Sequence, residues 1–257
     1  MHLHRLLVWL QRCAKGLNMK RALAGFLSLL ALCGCDKHDP ILPGARTAIF
    51  GTSSINVLNT DILNLPDAPY TMQETECPYT RDASNVVWNG SRKVFSGFAT
   101  DNSVATDIKP VCAGKYVYAG LTTGELVKIE PKTRKIVWIA DIYRASNLTG
   151  GASVLDIVAE PIIRDNYVYA GGLGDAFCKL NATSGAMIWC ANISVAANFT
   201  IADDAAFVVG ADKKLYAVRL TDGAVYWMAD VEKIAIPTYE NKIITIGKQK
   251  INAVNGK

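Results

Sequence analysis

Histidine is almost missing from this chain. Three of its 257 residues are His, and two of them, His2 and His4, fall in the first four. With the leader removed only His38 remains, which argues against imidazole acid–base chemistry and His-rich metal sites. An excess of charge is missing as well. The formal balance is +4, but residues 1–34 hold five basic side chains (Arg5, Arg12, Lys15, Lys20, Arg21) and no acid. The remainder carries 22 basic against 23 acidic groups, a balance of −1. That removes the basic face a nucleic-acid binder needs. Long apolar runs are also absent: the longest, residues 22–35, falls short of the roughly 20 residues that span a bilayer. No Gly-rich stretch opens a helix. Gly171-Gly-Leu-Gly-Asp175 follows a strand-like run and reads as a hairpin turn rather than a phosphate loop. Asp203-Asp204 is an isolated acidic pair at a turn, and no Asp, Glu and Asn cluster suggests calcium ligands.

What is present begins with a leader. From Met19, two basic residues and an apolar run lead into Leu32-Cys33-Gly34-Cys35, the layout of a secretory signal. Its end resembles the bacterial lipobox, which implies cleavage after Gly34 and lipidation of Cys35. Residues 1–34 are thus expected to be a signal, with Met19 an equally complete start. Asp36 follows, and in systems resembling this one an acid there retains lipoproteins in the inner membrane. Outer and inner membrane, periplasmic face, therefore both stand. Residues 35–83, with Pro40, Pro43, Pro66, Pro69 and Pro78 scattered among polar residues, read as an extended tether.

Residues 84–257 repeat. Gly120 precedes Trp138 by 18 residues, Gly171 precedes Trp189 by 18, and Gly210 precedes Trp227 by 17. Pro110, Pro161 and Thr200 each stand ten residues before the Gly, and Pro237 stands ten before Gly247 in a fourth copy. Tyr-Val-Tyr-Ala-Gly at 116–120 and 167–171 is a strand that ends where a tight turn would ask for positive φ. A second strand, a polar turn such as Asn181–Gly185, and a Trp-bearing strand follow. Four short antiparallel strands per unit of about 40–50 residues are the pattern of a β-propeller. The expected fold is therefore all-β, with about four recognisable four-stranded blades in a small or partial ring.

The phrases Lys179-Leu-Asn-Ala-Thr-Ser-Gly-Ala-Met-Ile-Trp189 and Ala217-Val-Arg-Leu-Thr-Asp-Gly-Ala-Val-Tyr-Trp227 resemble the pyrroloquinoline-quinone-type propeller repeat. Lys128–Trp138 is a weaker copy, with Arg134 where Gly is usual. In a lipoprotein of this size the resemblance is to the BamB-like family, propeller subunits of the outer-membrane β-barrel assembly machinery. It implies a non-enzymatic scaffold whose partner is an outer-membrane assembly protein or a nascent barrel protein. No catalytic residue, cofactor or metal is expected. The enzyme alternative is a quinoprotein dehydrogenase or a fragment of one, and a small-ligand-binding propeller is the third reading. The repeated Trp residues suit packing between blades better than a quinone platform.

Trp88 resembles a last-strand Trp without its repeat, while the fourth repeat lacks its Trp strand. The Trp88 strand is therefore expected to complete the last blade and close the ring. A ring of about four blades is small, so a chain cut short stands beside a small closed ring. Two links between repeats are long: 22 residues from Trp88 to Pro110 and 23 from Trp138 to Pro161, against 11 and 10 elsewhere. They should emerge side by side, carrying Arg92, Phe95, Phe98, Tyr143 and Arg144, the residue types that interfaces favour. Cys178 and Cys190 flank the Asn181–Gly185 turn symmetrically and should face each other. Cys77 and Cys112 remain for a second disulfide, with buried free thiols the alternative.

Overall fold

A computed structural model describes residues 55, 57–58, 63–72, 76–100, 103–104, 108–143 and 154–257. All of them lie in one compact unit, Phe50–Lys257. The expected signal and Cys35 fall outside the described residues.

Every regular element among the described residues is a strand. The first sheet holds β1 (Tyr79–Arg81), β2 (Val86–Asn89) and β3 (Arg92–Ser96). The second holds β4 (Val111–Ala113), β5 (Tyr116–Gly120), β6 (Glu125–Glu130) and β7 (Lys135–Asp141). The third runs β8 (Ile162–Arg164), β9 (Tyr167–Gly172), β10 (Ala176–Asn181) and β11 (Met187–Ala191). The fourth runs β12 (Thr200–Ala202), β13 (Ala205–Val209), β14 (Lys214–Arg219) and β15 (Val225–Asp230). The fifth holds β16 (Thr238–Glu240), β17 (Ile243–Ile246) and β18 (Gln249–Asn252). Each sheet is a meander whose strands pair in chain order. This is the blade pattern of a β-propeller.

The middle two strands of a blade are buried on both faces, which is why they read as near-continuous apolar runs. They show no alternation of buried and exposed positions: all five residues of β13 (Ala205–Val209) are buried. The outer strand alternates, as in β7, where Trp138 is buried between exposed Val137 and Ile139. Each core cluster bridges two neighbouring sheets. Tyr118 and Trp138 of the second sheet share one with Ala170 and Leu180 of the third. Phe207 and Trp227 of the fourth share another with Tyr239 and Ile251 of the fifth.

Two expectations change here. Trp88 does not complete the last sheet. Its strand β2 is bonded to β1 on one edge and to β3 on the other, so it has no edge to offer β18. The β2–β3 pair carries the same bulge as the last hairpin of the other sheets, and Phe95, paired with Val87, takes the place that Trp138 takes opposite Lys128. At the loop side of the pair Gly97 donates to Asn85 at 2.9 Å as Ile142 donates to Gly124 at 2.7 Å, two residues nearer the bulge than in the second blade. Residues 79–96 are thus the last three strands of a further blade, which the sequence hid because Phe replaces its Trp.

The proline-rich entry segment is not a loose tether over its described part. Val57 forms a parallel bridge with Val225, and Leu58 donates to the Val225 carbonyl at 2.8 Å. Leu65 is buried in the core of the fourth and fifth sheets, and the Tyr239 hydroxyl donates to the Pro66 carbonyl. Tyr70 donates its amide to Ile201 at 2.7 Å and its hydroxyl to Ile163 at 3.0 Å, reaching the innermost strands β12 and β8. A Cys77–Cys112 disulfide then pins the segment to β4. Apolar side chains spaced among the prolines, rather than periodicity, hold this strap down.

The Cys77–Cys112 bond closes a loop of 35 residues. Replacing both cysteines by Ser is expected to lower stability by about 2–4 kcal/mol, read as a shift of the urea midpoint. An unchanged midpoint would show that the strap is held by its other contacts alone.

Candidate functional site

Strands alternate in direction, so the turns of each blade fall at two ends. The first-to-second and third-to-fourth strand turns lie at one end, here the hairpin end. The second-to-third turns and the links between blades lie at the other, the loop end.

Between blades the geometry repeats. The indole N–H of Trp138 donates to the Ala182 carbonyl, that of Trp189 to Leu220, and that of Trp227 to Ala253, each at 3.1 Å. Each ring lies against a glycine in the facing hairpin turn: Gly185, Gly223 and Gly256, all with φ between +73° and +79°. A Cβ at Gly185 would stand 2.7 Å from the Trp138 ring. The Trp residues are therefore blade-to-blade joints, as their packing role predicted. At the first joint both partners change: Phe95 stands for Trp, and Arg134, itself at φ 56°, stands for Gly. Trp88, on β2, donates its N–H to Asp82 at 2.7 Å. Lys128 and Lys179 reinforce the neighbouring joints. Each lies 4.0 Å from a tyrosine ring centroid, and each donates to the carbonyl that the Trp also uses. Burial pushes both ammonium groups below their ordinary range.

The glycines that end the second strands act differently from expectation. Among Gly120, Gly171, Gly210 and Gly247 only Gly247 has positive φ. At Gly120 and Gly171 the reason for glycine is close approach. A Cβ would stand 2.5 Å from Ile157 in the first and 2.5 Å from Val195 in the second. Both neighbours belong to the links that cross the loop end. At Gly210 a Cβ would stand 2.5 Å from the Asp212 carboxylate.

The loop end is organised around Asn85, fully buried with φ 61°. Its amide nitrogen donates to the Phe98 carbonyl at 2.6 Å and to Thr122 Oγ1 at 2.7 Å. Its amide oxygen accepts from the Thr122 amide at 2.9 Å and from Arg81 at 3.1 Å. Thr100 joins Thr122 at 2.7 Å. One side chain thus ties the first blade, the second blade and the link between them. The second long link meets the first where buried Asp156 accepts the Val104 amide at 2.7 Å. Burial raises the Asp156 carboxyl above the ordinary carboxylate range, against the opposing pull of Arg81; burial likewise lowers the Arg81 guanidinium.

This framework presents Phe98, 81% exposed, and Val104, 42% exposed, on the same link. Tyr143 lies against Gly124 and Gly174 at the same end, and burial raises its hydroxyl. Phe98 and Tyr143 therefore come from the two adjoining links, as their spacing anticipated. Arg92 and Phe95 do not. Both sit in β3, with Phe95 buried in the core and Arg92 exposed at the hairpin end. The link is shorter than the Trp88-to-Pro110 count because β3 consumes its first residues. Arg144 lies outside the described residues.

The remaining features are at the hairpin end and on the rim. A cleft of about 220 Å³ between the third and fourth blades is lined by Arg164, Lys179, Asp203 and Asp204 among others. The Cys178–Cys190 disulfide crosses the last hairpin of the third blade, in the β10–β11 register. Exposed Ile136, Val137, Ile139, Met187, Ile188 and Met228 sit on the outer strands of three consecutive blades. Among the described residues no group of three or more His, Cys, Asp and Glu could hold a metal ion.

Comparison with known proteins adds the following. The family model PQQ_2, described as outer membrane protein assembly factor BamB, matches residues 71–243. The outer membrane protein assembly factor BamB of Francisella tularensis is 27% identical over 112 residues, 40% of this chain and 25% of that protein. The BamB of Legionella pneumophila is 23% identical over 118 residues, 46% of this chain and 31% of that protein. These matches thus span between a quarter and a third of the relatives' own lengths. The crystal structure of BamB from Moraxella catarrhalis superposes with a TM-score of 0.58 at 18% identity, covering 69% of this chain and 58% of that one. That likeness shows the β-propeller fold.

Proposed function

The chain belongs to the family of the outer membrane protein assembly factor BamB, and from that premise we propose that it is a non-enzymatic envelope scaffold. It is a lipid-anchored accessory protein, held through Cys35 on the periplasmic face of the outer membrane. It assists assembly of outer-membrane β-barrel proteins by protein–protein contact, with an assembly-machinery subunit or a nascent barrel protein as partner. The observation that supports this reading is the loop end. An aromatic side chain stands out in solvent from a link whose backbone is fixed by a buried hydrogen-bond hub. A rigid platform that displays an aromatic anchor is the arrangement of a binding hot spot.

A second route, strand addition to an outer blade edge, is favoured by the apolar side chains exposed on β7 and β11. One experiment separates the two. Co-purification of outer-membrane proteins with the full chain is measured for the parent, Phe98→Asp and Ile139→Lys. Phe98→Asp is expected to weaken capture by about tenfold or more with an unchanged melting temperature. Loss with Ile139→Lys alone would move the site to the blade edge. Capture unchanged by both would remove protein docking at either place. Dye-linked alcohol or sugar oxidation after addition of quinone and calcium would replace the scaffold with the dehydrogenase reading.

A further inference from the structure

We propose that the hairpin end of the first two blades is a membrane-facing surface that binds anionic lipid headgroups. Six cationic side chains collect there: Arg92 and Lys93 at the start of β3, Lys115 in the β4–β5 turn, and Lys132, Arg134 and Lys135 around the β6–β7 turn. All six are exposed. Glu130 is the carboxylate set among them, and it is engaged by Lys115 at 2.7 Å. Lys115 and Lys135 both act on Glu130, holding its carboxyl below the ordinary range. Glu76, next to the Cys77–Cys112 bond, is the other acid at this end of these two blades among the described residues. A strong positive balance remains.

The rest of the hairpin end is different. On the third and fourth blades, Asp165, Asp203, Asp204 and Asp222 answer Arg164 and Arg219, and Arg219 is closed on Asp222 at 2.6 Å. The charge is therefore sorted along one face, although the mature chain is nearly neutral overall. The sorting coincides with the joint that departs from the repeat. Where the other joints seat a Trp on a Gly, this one has Phe95 and Arg134. A guanidinium replaces the smallest residue at a position whose backbone disfavours it.

The identity of the anion follows from where the chain enters. Described residues of the entry segment touch the same hairpin end: Leu58 donates to the Val225 carbonyl, and Asp67 accepts from the Asn241 amide. The described part of the entry segment, the stretch nearest Cys35 in sequence, therefore lies at this end. An anchor on that side would hold these cations against the headgroups, where each basic side chain contributes about 1 kcal/mol of attraction to anionic lipid. With the hairpin end on the lipid, the loop end and Phe98 point away from it, free for a protein partner. The inference rests on the lipid-anchor reading, and its test keeps the two apart.

The native protein, extracted from its membrane, is mixed with vesicles of phosphatidylcholine alone or with added phosphatidylglycerol. Flotation and labelling by a membrane-impermeant amine reagent are then measured. Lys132 and Lys135 are expected to react several-fold more slowly on the anionic vesicles, while Lys213 and Lys248 at the loop end react alike on both. About 0.5 M salt should erase the difference, since it shortens screening to a few ångströms. In the variant Lys132→Gln/Arg134→Gly/Lys135→Gln the remaining patch lysines, Lys93 and Lys115, should label alike on both vesicles, and anionic-vesicle affinity should fall roughly fivefold per charge removed. Flotation with both vesicles and no difference in labelling would overturn the patch and keep the anchor. Flotation with the anionic vesicles alone would keep the patch and overturn the anchor. Flotation with neither would overturn both.

Discussion

Trp138→Ala is expected to lower the unfolding free energy by about 3–5 kcal/mol, the cost of emptying a large aromatic site in a packed core. The indole joins Tyr118 of its own blade, at 5.8 Å between ring centres, to the Ala182–Gly185 turn of the next. Little can collapse into the gap, because one wall is the buried Tyr118 ring and the other the bonded Ala182–Gly185 turn. Trp138→Phe should cost much less, about 1–2 kcal/mol. It keeps most of the apolar surface, and Lys128 still donates to the Ala182 carbonyl at 2.6 Å after the indole N–H is gone. Gly185→Ala should approach the Trp138→Ala value from the other side. The added methyl meets the ring, and φ +73° is unfavourable for any Cβ. Urea unfolding of the three variants checks the ordering. If Phe were as costly as Ala, the hydrogen bond rather than the packing would carry the joint.

Asn85→Ala is expected to cost about 2–4 kcal/mol and to take partner capture down with it. The change leaves the buried Thr122 amide without its acceptor and the Phe98 carbonyl without its side-chain donor. Each orphaned buried group costs about 1–3 kcal/mol. Asn85→Gly removes the same bonds but suits φ 61°, so it should recover up to about 1 kcal/mol of that loss. Hydrogen exchange at Gly97 and Thr122 reports the hub directly, and both amides should lose protection in either variant. Protection unchanged in Asn85→Ala would mean that the link carrying Phe98 is held by something other than this side chain.

Asn85 also shows where sequence reasoning stops. Nothing in Asp82-Ala-Ser-Asn-Val-Val-Trp88 marks its Asn as buried, because its partners come 13 and 37 residues later. The strap is a similar case. Its prolines suggest loose chain, and the backbone edges of β12 and β15 together with the apolar seats of Leu65 and Tyr70 hold it. Arg134 was visible as a departure from the repeat, but its counterpart Phe95 was not. The pairing of β2 with β3 is what identifies Phe95 as the residue standing in the Trp position.

The sequence by itself determined the repeat, the strand order within each blade and the facing of Cys178 on Cys190. Those features depend on contacts within about 20 residues, where periodicity, turn chemistry and hairpin register act locally. Tertiary structure alone decided the further blade at residues 79–96, the docking of residues 57–58 and 63–72, the role of Gly120 and Gly171, and the separation of Arg92 from Phe98. Each of these is set by what packs against it from another blade or from the other end of a strand. A strand five residues long, such as β3, carries its two end residues to opposite ends of the blade. Closeness in sequence therefore did not become closeness in space.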